Sequence, residues 1–571
     1  MIRLIFSAWL SLLAIACGSA PPAPPPPVAP AQQAAEPAAA VAPARGAPFF
    51  DTLGTHTRSV GASNPLAQQY FNQGFVLAYG FNHAEAARSF REALRLDPAC
   101  AMCAWGVALV LGPNINLPMM GSDAAEAYAM SRKAQQLAGS ASEADRALID
   151  ALVARYAEGP AVEGPIMDRA ALDQAYADAM RQAARRFPGD ADVLALFAES
   201  LLDLNPWSYW LPDGRPRPTT TEALAALERA MARSPKHPGA LHYYIHTVEE
   251  PDPKRAEAAA DTLRDLVPGA GHLVHMPGHI YLRVGRYKDA LDVNLRAGKV
   301  DSDYIEACRI QGFYALGYHP HNWHFVWAAG TFAGNRENAL LGASKTGHLM
   351  HGQSPVDPML GPIVQHFALT PIYAAARFGM WDKALEFPEP QADAIYSRAI
   401  HHYARGLAQA GKGDLAAAER ELAALRKLAA HEVLPATQVS VRNNAKQIVA
   451  VAERLLTGDI AARRGQHDAA IAALRQGVKH EDALGYNEPE DWHYPVRLLL
   501  GTVLLDARKP AEAEKAFRED LRKHPENGWA LFGLAQSLDA QGRKADAESA
   551  RARFAAAWQH ADVKLASAVI R

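Results

Sequence analysis

The sequence predicts an all-α protein, an α-solenoid of roughly ten to twelve helix-turn-helix repeats. Three observations carry that expectation. Alanine is abundant, while alternating Val/Ile/Thr/Tyr runs that would mark strands are scarce. At 571 residues the chain is too long for one compact core. Small residues, an aromatic and a proline recur at the same offsets in two widely separated stretches. The balance is otherwise ordinary: 49% hydrophobic, 21% charged and a formal net charge of -3, which gives no case for nucleic acid as a partner.

The chain opens on Arg3 and an apolar run from Leu4 to Ala16, too short to span a bilayer as a mature helix. Ala14-Ile15-Ala16-Cys17 resembles a bacterial lipobox, with Ala14 where such sites more often carry Leu. The resemblance implies a signal peptide over 1–16, lipid on the Cys17 thiol and a cell-envelope location. In a cell with two membranes that location is the periplasmic face of the outer membrane. Residues 17–48 are Pro/Ala-rich and nearly uncharged, which reads as a tether between anchor and folded domain.

The first clear repeat runs from Ala67 to Pro98, with Gly74, Ala86, Phe90, Ala93 and Pro98 at positions 8, 20, 24, 27 and 32. Gly501, Ala513, Phe517 and Pro525 repeat the spacing near the C-terminus, before Trp529 and Gly533 open a last pair. These units resemble tetratricopeptide repeats, and the resemblance covers most of 64–560. The sequence divides into N-terminal repeats (49–236), a His-rich centre (237–390) and C-terminal repeats (391–571). Insertions at 112–121, 204–221 and 301–320 read as rim loops, and Trp207, Tyr209 and Trp210 on them as either lid or contact residues or satellite packing. Cys100 and Cys103 fall where a repeat helix starts, without a second CxxC for a zinc site, and read as packed small residues in preference to a disulfide.

The chain has 22 histidines, and twelve lie between His237 and His366, where even scatter would leave about five. Repeat register gives the clustering a reason. With Pro235 closing one unit, His242, His246 and Glu249 take positions 5, 9 and 12 of the next. With Gly278 at position 8, His272, His275 and His279 take positions 2, 5 and 9. His324 falls on position 5 of a third unit with His321 a turn earlier, and His366 on position 2 of a fourth. In tetratricopeptide proteins, which these units resemble, positions 2, 5, 9 and 12 line the concave wall. Residues three and four apart share a helix face, and neighbouring helices pack ~8–10 Å apart. Six to eight imidazoles are therefore expected around one cavity.

Clustered neutral imidazoles without thiolates suit copper or zinc, one ion or two; a hard cation would need more carboxylates than Glu249 and Glu250 supply. Tyr243, Tyr244, Tyr281 and Asn322 are close enough in sequence to orient a substrate. Pro277 lies inside a first helix, where it should break a hydrogen bond and kink the chain, and Pro371 occupies the matching position of another unit. The His242–His246, Gly271–His279, His319–His324 and Asn487–Pro495 blocks resemble those of a group of secreted bacterial His-rich tetratricopeptide lipoproteins, a likeness that implies no particular activity. The chain has no HExxH, Walker A, GxGxxG or GxSxG motif, which disfavours peptidase, nucleotide, hydride and serine-hydrolase chemistry. Two expectations stand: a membrane-anchored metal protein, with metal-dependent oxidation and hydrolysis as its candidate activities, or an envelope scaffold that takes a peptide or protein in its concave groove without metal.

Overall fold

The computed structural model describes residues 47–159, 162–309, 312–350 and 361–571. The signal segment, Cys17 and nearly all of the 17–48 tether lie outside the described residues. Ala47–Arg571 forms one compact unit. It is all-α: among the described residues only four isolated β-bridges interrupt helices and loops. None of the described helices is long and apolar enough to cross a membrane.

The repeat motif acts through close approach. Helices Pro65–Tyr79 and His83–Leu96 form the first pair. A Cβ on Gly74 would stand 3.0 Å from the Phe90 ring, and one on Gly106 of the following helix would overlap the same ring. The C-terminal unit repeats the device: Phe517 fills the space left by Gly501, where a Cβ would lie 2.5 Å from it, and by Gly533. Glycine is needed at these positions because a helix backbone sits against a buried aromatic face.

Cys100 caps helix Ala101–Leu111, as the register required, but it is disulfide-bonded to Cys103. This corrects the expectation of two free thiols: at cap and third position the side chains share one face of the first turn, within bonding reach. The 301–320 stretch also departs from expectation. Asp301 to Cys308 continue helix Tyr287–Cys308, and Tyr314–Tyr318 forms a π-helical turn leading into helix His319–Phe332.

The hydrophobic core is in two large parts, one running from Leu53 to Ala329 and the other from Trp327 to Val569. C-terminal repeats are tied to central ones across this division. Trp529 Nε1 donates to Thr331 O at 2.9 Å, and Asp562 accepts from the backbone of Arg336 and Glu337 at 2.7 and 2.9 Å. Arg442 holds Glu250 in a two-pronged ion pair. The His-rich helices lie where the two parts of the core meet.

A candidate metal centre of six imidazoles

Helix Pro238–Val248 begins with Pro at its first position, where no intrahelical donor is lost, and the His237 side chain accepts from Ala240 N. It is buried along its whole length, so His242 and His246, one turn apart, are aimed at other helices. The next first helix is broken as Pro277 predicts, into Gly271–His275 and Pro277–Val284 with Met276 between. The break at Pro371 has the same form, between Gly361–Ala368 and Thr370–Arg377. Met276 itself is buried in the apolar core.

These elements bring six imidazoles together with their nitrogens face to face. The ligand atoms of His242, His246 and His272 all lie within 4.8 Å of one another, and so do those of His275, His279 and His321. His242 Nε2 and His272 Nε2 are 3.2 Å apart; His275 Nε2 and His279 Nε2 are 2.7 Å apart. Ligands ~2.0–2.1 Å from a tetrahedral ion stand about 3.3 Å from each other; the 3.2 Å pair has that spacing, the 2.7 Å pair is tighter, and the third nitrogen of each trio lies within 4.8 Å of the others. The trios adjoin: the rings of His246 and His279 are 5.5 Å apart, and those of His272 and His275 5.6 Å.

Outer hydrogen bonds decide which nitrogen is bare. His242 Nδ1 donates to the Tyr79 carbonyl at 2.6 Å. His275 Nδ1 lies 2.6 Å from Asn294 Oδ1, and the Asn294 amide is oriented by its own donation to Ala290 O. The proton on His275 must therefore sit on Nδ1, leaving the Nε2 lone pair inward. Gly278 makes this contact possible, because any side chain there would collide with Asn294. His246 Nδ1 faces Glu249 Oε1 at 3.3 Å, and its Nε2 has no partner. His279 Nδ1 stands 3.0 Å from Glu249 Oε2 and 2.9 Å from Glu488 Oε2. These are ion-pair distances, but neither contact is aligned as a hydrogen bond.

Burial, reinforced by neighbouring imidazoles, holds His242, His246, His272, His275 and His321 well below the ordinary histidine pKa. His279 goes the other way. Burial opposes its charge, but Glu249 and Glu488 raise it to about 10. Without an ion, a proton on His279 Nε2 donates to His275 Nε2 and occupies the position a metal would take.

The other expected residues fall elsewhere. His324 and His366 are buried but outside the cavity, their rings 6.0 Å from each other. Phe325, not His324, faces His275 and His279, 4.7 Å from each ring. Tyr243 is buried between Tyr79 and Phe81. The Tyr244 hydroxyl reaches Glu228, and Tyr281 donates to Asp261 beneath Arg286. Asn322 donates to the buried Asp301, alongside Tyr314. None of these four lines the cavity: Tyr243 is turned toward the first unit, and Tyr244, Tyr281 and Asn322 toward helices that precede their own.

Residues the register did not single out take their place. Glu488 comes from a block more than 200 positions downstream, and Arg442, Tyr486 and Tyr318 join Trp207 around the opening. The one sequence signal for Glu488 was the density of acidic, aromatic and histidine residues in Asn487–Pro495, which fits no helix period.

No protein-family profile matches the chain, and no curated protein matches it. Among solved structures it is similar to the APC/C hetero-tetramer Cut9-Hcn1, with 16% identity over 83% of this chain and 76% of that one and a TM-score of 0.30. It is similar to the human IFIT1 dimer with m7Gppp-AAAA, with 11% identity over 87% and 90% and a TM-score of 0.27. It is also similar to a tetratricopeptide repeat protein from Parabacteroides merdae, with 12% identity over 58% and 92% and a TM-score of 0.26. Likeness of this degree carries no functional argument. The class rests on the molecule's own helix pairs: a tetratricopeptide-like helical-repeat protein with a histidine-lined cavity.

Proposed function

We propose that this chain is an envelope-anchored transition-metal protein that holds two ions side by side, one on His242, His246 and His272 and the other on His275, His279 and His321. The supporting observation is the arrangement of nitrogens: outer Nδ1 atoms are committed to Tyr79 O, Asn294 and carboxylates, while Nε2 atoms of different helices converge at 2.7 and 3.2 Å. Bare lone pairs at that separation repel unless a proton or cation stands between them. All-imidazole ligation suits copper or zinc. Three protein ligands per ion leave a position open, as in catalytic rather than structural sites, where a bound ion would activate water or a substrate oxygen. Glu249 and Glu488 are the outer carboxylates that orient His279 and offset charge.

Titration of the chelator-stripped chain with Cu(II) and with Zn(II), followed by calorimetry, is expected to end at two equivalents. A visible absorption band in the protein as purified would mark copper; its absence with metal present would mark zinc. A titration without saturable uptake of either ion would sink the reading. The anchor is a separate claim: Cys17→Ser is expected to release the protein from membranes, and unchanged retention without lipid in the mass spectrum would contradict it.

The second reading, an interaction scaffold with a peptide in its groove, is supported by the repeat architecture alone. Glu488, Tyr486 and Arg442 of the C-terminal repeats sit over the histidine wall, leaving a small cavity in place of an extended groove.

A further inference from the structure

The cavity above the imidazoles has a composition that specifies its occupant. Its volume is about 190 Å³. An apolar cavity of about 150 Å³ admits benzene, so this one suits a single substituted ring. Five aromatic side chains wall it: Trp207, Phe313, Tyr318, Phe367 and Tyr486.

The polar groups on those walls are already engaged with one another. Asn116 donates to the Tyr318 hydroxyl at 3.1 Å and accepts from Trp207 Nε1 at 3.0 Å. Arg442 spends its guanidinium on Glu250 and on the Trp207 carbonyl. Asn487 donates to Asp491 at 2.7 Å, and the Tyr486 hydroxyl donates to Glu488. The two carboxylates of the lining, Glu249 and Glu488, face His279 Nδ1 at 3.0 and 2.9 Å, so the charges present are set against one another, and burying a further unpaired charge is costly. The floor differs. His246 Nε2 and His272 Nδ1 are buried nitrogens without a partner. With His246 Nδ1 turned to Glu249, its Nε2 is an acceptor pointing at whatever enters.

We infer that this cavity binds an uncharged single-ring phenol, its ring between the aromatic walls and its hydroxyl at His246. Aromatic walls favour a flat π-system through offset and edge contacts, and the floor asks for one donor at one end. The inference rests on the proposed function only in that the hydroxyl would then stand beside the ion held by His242, His246 and His272.

The test is calorimetric titration of the full chain, metal-loaded and chelator-stripped, with phenol, cyclohexanol and benzoate. Phenol is expected to bind the stripped form with its hydroxyl donating to His246 Nε2 and the loaded form with its hydroxyl at the open position of the ion that His246 would hold, and cyclohexanol and benzoate at least about tenfold more weakly. Val441 is 76% exposed at the mouth. Val441→Trp leaves the packing intact and is expected to weaken phenol about tenfold or more by narrowing the entrance. Phe313→Leu keeps the wall apolar, removes one aromatic face and is expected to weaken phenol severalfold. Equal binding of cyclohexanol or benzoate would overturn the inference, as would unchanged phenol affinity in Val441→Trp. Selective phenol binding by a chain that takes up no metal would support it while ending the metal reading; metal uptake without phenol selectivity would do the reverse.

Discussion

His242, His246, His272, His275, His279 and His321 turn nitrogens toward one another. His324, His366 and His493, further along the same stack, lie flat against aromatic rings. His324 is 4.5 Å from the Phe367 ring and stacks on Trp327; His493 is 4.1 Å from Tyr373, with both nitrogens unpartnered. His366 donates to or accepts from the Tyr396 hydroxyl at 2.9 Å and approaches Asp491 only to 4.0 Å. Both groups are buried, and burial lowers the pKa of His324, His366 and His493 as it does in the cavity. Burial is thus common to both, and so is repeat register for His324 and His366. The six differ in converging on one another's nitrogens, and three of them, His242, His275 and His246, have an outer partner on Nδ1 in Tyr79 O, Asn294 and Glu249. A clustered histidine becomes a candidate ligand when its nitrogen faces those of neighbouring imidazoles and not an aromatic ring.

A third group sharpens the contrast. Asp192 Oδ1 is 2.9 Å from His237 Nε2 and 3.0 Å from His56 Nε2, and the three have metal-like spacing. Yet Tyr79 also donates to that oxygen, and Arg58 pairs with the other at 3.1 Å. A carboxylate already surrounded by donors and a guanidinium has no lone pair to give an ion. It reads as the bond that ties the N-terminal segment to the stack.

The largest expected effect on metal is in the cavity. His275→Ala should weaken binding at its trio by more than the ~10–100-fold that loss of an outer partner costs. His324→Ala should leave metal content unchanged and instead lower stability by about 2–4 kcal/mol, the usual cost of emptying a large buried site; denaturant melts beside metal analysis separate the two. Next comes the outer shell. Asn294→Leu keeps every proposed ligand but frees the His275 tautomer, and should cost ~10–100-fold in affinity with the fold retained. Unchanged affinity would show that the Asn294 contact only packs.

Asp192→Asn should leave metal binding untouched and act on acid stability alone. Burial by itself would raise the Asp192 pKa, but hydrogen bonds from His237 and His56 hold it well below the usual value. A depressed carboxyl stabilises the fold above its unfolded pKa of about 3.9, and that contribution is lost as pH falls through the folded one. The variant should therefore be less stable near neutrality, by on the order of 1–3 kcal/mol, and should lose less on acidification. Parallel acid melts of wild type and variant would contradict this.

Much of this was legible in the chain itself. Gly74, Phe90, Gly501 and Phe517 announce the helix pairs because close packing needs those residues at those offsets. Register alone aligned His242, His246, His272, His275, His279 and Glu249 with the wall, since one helix face is fixed by periods of three and four. Periodicity says nothing of how far successive walls turn, so His324 and His366 were expected on the cavity wall, where Phe325 and not His324 faces His275 and His279. Tyr243, Tyr244 and Tyr281 were misplaced for a related reason: nearness in sequence on a helix does not fix which face a side chain takes. Glu488, Arg442 and Tyr486 come from repeats packed across the division of the core, a long-range contact no local pattern encodes.

The central claim is that the converging imidazoles hold metal and are not needed to hold the fold. Elemental analysis of wild type and the His246→Ala/His279→Ala double variant, with melting curves for both, tests it most directly, because the pair takes one ligand from each trio. The account predicts two ions per chain in wild type, none retained stoichiometrically in the variant, and a variant that still folds, since solenoid stability is approximately a sum of local repeat and neighbour terms. Equal metal content in the two proteins, or a variant that fails to fold, would contradict it.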